Sequence, residues 1–331
     1  MKIDSVGIIG GGAWGTGLAQ TLRRAGRDVL LWAREPGVAQ EINAKHSNGA
    51  FLPGVPLDPA IRATNTLADV ASRDVLLMVA PAQHVRAVSE GLKSDLRSGQ
   101  PIVLCAKGIE QRSGKLMGDV IAEVLPEATQ AALSGPSFAA EVARGLPVAL
   151  TIACADEQLG RLLAERLSNP QFRLYWTSDL IGVELGGSLK NVLAIAAGII
   201  DGQGLGANAH AALVTRGFAE LRRFGEALGA RPETLIGLSG LGDLILTCGS
   251  EQSRNMSLGR ALGQGQSLDD VLGGRTAVTE GVYTAAAVQH IASEKGIDMP
   301  ICSAVCDILD GRESVPDAIA RLMQRPLKAE D

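Results

Sequence analysis

Two lysines and an aspartate occupy positions where charge is hard to account for. Lys190 and Asn191 are the strongly polar residues of the apolar stretch 189–200. A helix apolar on all its faces belongs inside a domain. An ammonium there is costly unless something offsets its lost hydration. The stem of a lysine can carry its charge out to water, which is the ordinary explanation. Here an amide stands beside it at the head of the helix, where a cleft can open. A lysine so placed can protonate an oxygen or stabilise negative charge growing on one. Lys107 closes the apolar run 101–106, an unusual position for a surface lysine. Asp243 lies in the apolar segment 240–247, and Thr247 follows one helical turn later on the same face.

A third chemistry belongs to Ser253-Arg254-Asn255. Ser253 suits an N-cap. A guanidinium beside the free N–H groups of a helix start forms a receptor for phosphate. Near the N-terminus, Gly10-Gly11-Gly12-Ala13-Trp14-Gly15 spells Gly-x-Gly-x-x-Gly. It lies between a β-branched run at 5–9 and a helical segment at 16–25, with a second strand at 28–32. In that strand-turn-helix context the pattern binds a dinucleotide. Gly10 permits the tight turn, Gly12 lets backbone approach a pyrophosphate, and Gly15 allows helix to pack on strand. Arg34 follows the second strand, where an Arg receives the 2′-phosphate of NADP; Glu35 beside it keeps NAD open. NADP(H), NAD(H) or both are therefore expected.

These residues need a frame. Apolar runs at 74–80, 101–106, 131–134, 148–154 and 173–177 read as strands buried on both faces. Helical stretches such as 85–92 and 113–125 separate several of them. The expected N-terminal unit is a Rossmann-like doubly wound sheet, α/β in class, with ligands at the carboxyl ends of its strands. Lys107 and the loop 135–139 lie at such ends. After Thr177 the strand signals stop and an all-helical unit follows. The expected division is residues 1–180 for the dinucleotide and 181–331 for substrate and catalysis, with the boundary near 178–185.

Bulk properties exclude other classes. The 331 residues are 46% hydrophobic and 20% charged, a globular composition. A net charge of −5 argues against a nucleic-acid binder. Five scattered cysteines and four histidines show neither a disulfide framework nor metal spacing. The uncharged run 192–200 is too short to span a bilayer, so no membrane insertion is expected. The N-terminus runs into a strand without a basic-then-apolar leader, and a cytoplasmic protein is expected. A homodimer is the commonest assembly for such a chain.

In order, Gly10 to Gly15 with Trp14, Lys107-Gly108, Gly135-Pro136-Ser137-Phe138-Ala139, Leu189-Lys190-Asn191, Gly242-Asp243-Leu244, Ser253-Arg254-Asn255 and Val278-Thr279-Glu280-Gly281 form a specific series. The series resembles bacterial-type NAD(P)-dependent glycerol-3-phosphate dehydrogenase over essentially the whole chain. Ala13 departs from the pattern, since those enzymes usually carry Ser there. The resemblance implies reversible reduction of dihydroxyacetone phosphate to sn-glycerol 3-phosphate, a phospholipid backbone. It makes Lys190 the proton donor and acceptor. It places Lys107, Gly135, Ser137, Asp243, Ser253 and Asn255 on the glycerol phosphate, with Asn191 and Thr247 beside them. Arg254 then serves phosphate binding where cofactor meets substrate. Gly10, Gly12, Ala13, Trp14, Gly15, Arg34, Lys107, Ala139, Val278 and Glu280 line the dinucleotide site. The alternatives are a related two-domain hydroxyacid or sugar-acid dehydrogenase and a non-catalytic dinucleotide sensor. A sensor has no use for two inward lysines and a buried aspartate.

Overall fold

The computed structural model describes residues 2–273 and 279–326. Its strands are β1 (Ser5–Ile9), β2 (Asp28–Trp32), β3 (Arg62–Thr64), β4 (Val75–Met78), β5 (Pro101–Leu104), β6 (Thr129–Ser134), β7 (Val148–Cys154) and β8 (Phe172–Thr177). They form one sheet in the order β3-β2-β1-β4-β5-β6-β7-β8. Every pairing is parallel except β6 with β7. The chain order reverses at β1, between β2 and β4, so a crevice opens beyond the carboxyl ends of β1 and β4. The helices of this half are α1 (Ala13–Arg24), α2 (Pro36–Lys45), α3 (Leu67–Ala71), α4 (Val85–Leu92), α5 (Met117–Val124), α6 (Ala139–Arg144) and α7 (Glu157–Leu167). They cover the sheet, and β4 and β5 are buried at every residue. That is why these strands read as unbroken apolar runs.

The sequence signals differ from the structure at three places. β3 is an edge strand of three residues, too short and too exposed to show an apolar run. α5 begins at Met117, because residues before it form a loop closed by the Ile109–Leu116 bridge. β7 turns antiparallel, and nothing in its composition distinguishes that direction.

The second half is helical, as the loss of strand signals after Thr177 predicts. It runs α8 (Leu180–Gly202), α9 (Gly206–Ala227), α10 (Pro232–Leu235), α11 (Asp243–Cys248), α12 (Arg254–Gly263), α13 (Leu268–Gly273), α14 (Glu280–Lys295), α15 (Pro300–Leu309) and α16 (Val315–Met323). A π-helical turn, Leu238–Gly242, leads into α11. α8 is the axis of this half. Asp179 caps it by accepting from the Gly182 N–H at 2.9 Å. Every residue from Gly182 to Ile200 is buried. The uncharged run 192–200 covers only part of this helix. The helix spans 23 residues and is long and apolar enough to cross a membrane, but that window is wholly buried inside the protein.

Glycines let the neighbours of α8 approach that closely. A Cβ on Gly198 would lie 2.0 Å from the Met256 carbonyl oxygen, and one on Gly259 would lie 1.9 Å from that of Ile195. α8 and α12 therefore cross backbone against backbone. This crossing fixes the start of α12, with Arg254 and Asn255, relative to Lys190. Aromatic residues are scarce, and Leu, Ile, Val and Ala fill the core of this half around α8.

Candidate active site

Lys107 follows β5, Lys190 lies on α8 and Asp243 begins α11, yet the three side chains meet. The Asp243 carboxylate is fully buried. Its Oδ1 accepts from Lys190 Nζ at 2.5 Å, and its Oδ2 accepts from Lys107 Nζ at 2.6 Å. Lys107 Nζ also donates to the Gly135 carbonyl at 3.0 Å. Lys190 Nζ donates to Thr247 Oγ1 at 2.9 Å. The Thr247 hydroxyl in turn reaches the Asp243 backbone carbonyl one helical turn back, at 2.6 Å. The helical spacing read from the sequence thus makes Asp243 and Thr247 one receptor for Lys190.

The electrostatics follow from this geometry. Burial lowers the Lys190 pKa to about 8, assisted by the like charge of Lys107 and opposed by Asp243. Two ammonium groups share one carboxylate, so the cluster carries a net positive charge toward an anionic ligand. An amine with a pKa near neutrality exchanges its proton readily in both directions.

A chain of amides ties this cluster to the helices behind it. Asn191 Nδ2 donates to the Lys107 carbonyl at 3.0 Å. Asn255 Nδ2 donates to Asn191 Oδ1 at 3.0 Å, and Asn255 Oδ1 accepts from the Gly281 N–H at 3.0 Å. Both asparagines are buried and each makes these framework contacts. Ser253 caps α12, its Oγ accepting from the Met256 N–H at 3.2 Å. Arg254 begins the same helix, is exposed, and has the charge of Glu280 nearby. Ser137 stands in the loop after β6 and donates to the Gly135 carbonyl at 3.2 Å. Gly135 has φ +143, a conformation that favours glycine, and a Cβ there would lie 2.8 Å from Leu150 Cδ2.

The dinucleotide side is built at the switch point. Gly10 has φ +132, and a Cβ on it would crowd the Val79 carbonyl carbon at 2.9 Å. A Cβ on Gly15 would lie 1.9 Å from the Gly10 carbonyl oxygen, so the helix start packs on the turn. Gly12 faces open space, with nothing within 4 Å of a Cβ. It opens α1, where no side chain caps the first N–H groups. Ala13 and Trp14 form the first turn of that helix. This open cradle under uncapped N–H groups fits a pyrophosphate. Ala139 starts α6, and its carbonyl would lie 3.0 Å from a Cβ on Gly17 of α1. Arg34 is exposed beyond β2, and its Nε and Nη2 donate to Glu35 Oε1 at 3.1 and 2.9 Å. Glu280 Oε1 accepts from the Ala82 N–H at 3.0 Å. Among the described residues, its buried Oε2 has no hydrogen-bond partner, an acceptor suited to an amide. Burial raises the Glu280 pKa. Val278 lies outside the described residues.

The sequence signals pass over a pair of residues at the centre of this site. Gly186 and Gly187 lie one turn before Lys190 on α8. A Cβ on Gly186 would lie 2.5 Å from the Ser239 carbonyl oxygen, and one on Gly187 would lie 2.6 Å from Ser134 Oγ. Two adjacent glycines inside a helix cost about 1 kcal/mol each relative to alanine. That cost, unexplained by any turn, is the signal that marks them.

Known proteins resemble this chain in sequence and fold. Residues 5–160 match the family described as NAD-dependent glycerol-3-phosphate dehydrogenase N-terminus, and residues 179–320 match the C-terminus of the same family. A protein of Caulobacter vibrioides named glycerol-3-phosphate dehydrogenase (NAD(P)+) is 58% identical over 330 residues, covering 100% of both chains. One of the same name from Maricaulis maris is 58% identical over 99% of both chains. The crystal structure of glycerol-3-phosphate dehydrogenase from Coxiella burnetii superposes with a TM-score of 0.93 at 38% identity, covering 97% of this chain and 99% of that one.

Proposed function

Because the chain belongs to the family of NAD-dependent glycerol-3-phosphate dehydrogenases, we propose that it interconverts dihydroxyacetone phosphate and sn-glycerol 3-phosphate, using NADP(H) or NAD(H). The observation that carries the reading is the buried Asp243 carboxylate holding Lys190 and Lys107 together. A ketone reduction needs a cation, and then a proton, at the oxygen where negative charge grows. Lys190 supplies both. Asp243 and Thr247 aim its ammonium, and its lowered pKa lets it return to the charged form after giving up the proton. The bound dinucleotide supplies or accepts the hydride. The glycine turn 10–15 holds its pyrophosphate, with Trp14, Arg34, Ala139 and Glu280 lining the remainder of its site.

Lys107, Gly135 and Ser137 face the substrate from the sheet half. Ser253, Arg254 and Asn255 receive its phosphate from the helical half, with the α12 N-terminus and the guanidinium together. Asn191 acts beside them. In this reading residues 1–180 form the dinucleotide half and 181–331 the catalytic half. The protein works in the cytoplasm as a homodimer without membrane insertion, supplying phospholipid backbones. Sedimentation of the purified protein at the mass of one chain would overturn the dimer.

The decisive assay is oxidation of NADPH or NADH on adding dihydroxyacetone phosphate. Turnover with this substrate, and little with a 2-keto acid, is the expected result. Turnover with the keto acid alone would favour the hydroxyacid reading. Cofactor binding without turnover of either substrate would favour a sensor.

A further inference from the structure

Lys107 reaches Asp243 across the face of α8, and the space it crosses exists because residue 187 has no side chain. A Cβ on Gly187 would lie 2.6 Å from Ser134 Oγ, 3.3 Å from Lys107 Cγ and 3.5 Å from Lys107 Cδ. The adjacent glycine plays the complementary part. A Cβ on Gly186 would lie 2.5 Å from the Ser239 carbonyl oxygen and 2.9 Å from Gly240 Cα, both in the π-helical turn that delivers Asp243. One glycine therefore admits the segment carrying the carboxylate, and the next admits the stem of the second lysine. Lys190 stands one turn further along the same helix. Ser134 adds an independent sign of a built contact. It is 5% exposed, and its Oγ has no hydrogen-bond partner among the described residues. A buried hydroxyl left in that state is unfavourable. It is held against α8 at Gly187, where no side chain intervenes.

We propose that Gly187 is a positioning residue for the reaction: its missing side chain lets Lys107 lie against α8 and share Asp243 with Lys190. The inference rests on the reading of Lys190 as the acid. Glycine at 187 is not required by backbone conformation, since it lies within the regular helix α8 and its φ is not positive. Its requirement is one of space. The groups facing Lys190 are Asp243, Thr247 and Cys248 from α11 and Lys107 from the end of β5. Of these, Lys107 packs its stem against Gly187.

The test is Gly187→Ala, alone and combined with Ser134→Ala. An added methyl in Gly187→Ala meets Ser134 Oγ at 2.6 Å and crowds Lys107 Cγ at 3.3 Å, so the lysine stem must shift by a few tenths of an ångström and its bond to Asp243 Oδ2 weakens. Lys190 then competes with a more weakly held cation for the carboxylate, so its proton affinity rises. For ketone reduction, kcat/KM falls as Lys190 deprotonates. This falling limb should move upward by about half to one pH unit in Gly187→Ala, and KM for dihydroxyacetone phosphate should rise by about tenfold. Ser134→Ala alone should behave as wild type. The double variant removes the 2.6 Å clash and should bring the limb at least halfway back. A Gly187→Ala enzyme that merely loses turnover, with its limb at the wild-type pH, overturns the inference. So does a double variant no better than Gly187→Ala. Lys190→Ala, measured in parallel, isolates the premise: full turnover in that variant defeats the acid assignment, whereas a stationary limb in Gly187→Ala defeats only the role of Gly187.

Discussion

At the scale of single residues, Lys190 is a buried amine held against a carboxylate. Its pKa falls to about 8 because burial outweighs the attraction of Asp243. Proton donation to a ketone oxygen requires the charged form, so reductive kcat/KM should decline as pH rises through about 8. The reverse reaction requires the neutral amine and should gain over the same range. Lys190→Ala removes both dependences. We expect its kcat to fall by roughly 10²–10⁴-fold, with dinucleotide affinity near wild type, since the glycine turn is remote from α8. Stopped-flow cofactor binding and steady-state rates across pH separate the two effects. A variant that kept the wild-type limb would transfer the role to another group. Lys190 and Asp243 were legible in the sequence because a charge in an apolar run demands an explanation. Gly187 was not, because what it admits comes from strands some fifty to eighty residues away in the chain. Asn255 was legible as a polar residue at a helix start; Lys190 and Asn191, expected at the head of their helix, lie instead near the middle of α8. The amide chain of the asparagines was not legible, since it depends on how α8, α12 and α14 meet.

At the scale of elements, the helices of the second half are placed by close backbone approach rather than by large side chains. The α8–α12 crossing is the clearest case. Gly198 and Gly259 leave no room for a methyl group on either side of it. Overpacking a fixed contact typically costs about 1–3 kcal/mol and occasionally more. Gly198→Ala meets backbone atoms, which cannot rotate away as a side chain can, so its cost should lie at or above the upper end. Its urea midpoint should drop clearly. The surviving folded fraction should bind dihydroxyacetone phosphate more weakly, because α12 carries Arg254, which we propose receives the phosphate. Alanine at Gly265 is the control for general effects, since nothing lies within 4 Å of a Cβ there, although its φ of +87 adds strain of its own. An unchanged midpoint for Gly198→Ala would mean that the helices separate at little cost. The pattern of strand runs and the Gly-x-Gly-x-x-Gly turn predicted the sheet half well. β3 escaped because a three-residue edge strand buries too little to leave an apolar signature. Glu184 and Lys190 interrupt the apolar run of α8, although both are buried.

At the scale of the molecule, Glu184 shows how the two halves are joined. It lies on α8, and its Oε1 accepts from the Gly118 N–H of α5 at 2.8 Å, across from the helical half to the sheet half. Glu280 makes a similar link from α14 to Ala82. Both carboxyls meet backbone N–H groups at the start of a helical segment, where a negative charge is favoured. Burial works against that charge, raising the Glu184 pKa to about 7 with some help from Asp119. The unfolded chain releases this proton near 4.5, its ordinary value. Between those two values the folded protein holds a proton that the unfolded chain has lost. The contribution of Glu184 to stability is therefore greatest below about 4.5 and declines as pH rises to about 7. Glu220, raised to about 7 by burial on α9, acts in the same direction, while other groups oppose it. The difference between wild type and Glu184→Gln isolates the one site. Glutamine keeps an acceptor for the Gly118 N–H and has no charge to bury. Wild-type stability minus that of the variant should fall by at most about 3 kcal/mol from acid to neutral pH, the linkage energy of a proton held that much more tightly in the fold. Urea unfolding at about pH 5 and about pH 8 reads it directly. A constant difference would show that Glu184 stays ionised in the fold, with the α5 N-terminus fully offsetting burial. A declining one means that the junction carries a neutral carboxyl through most of the acid range, so the halves are held by a hydrogen bond rather than by charge.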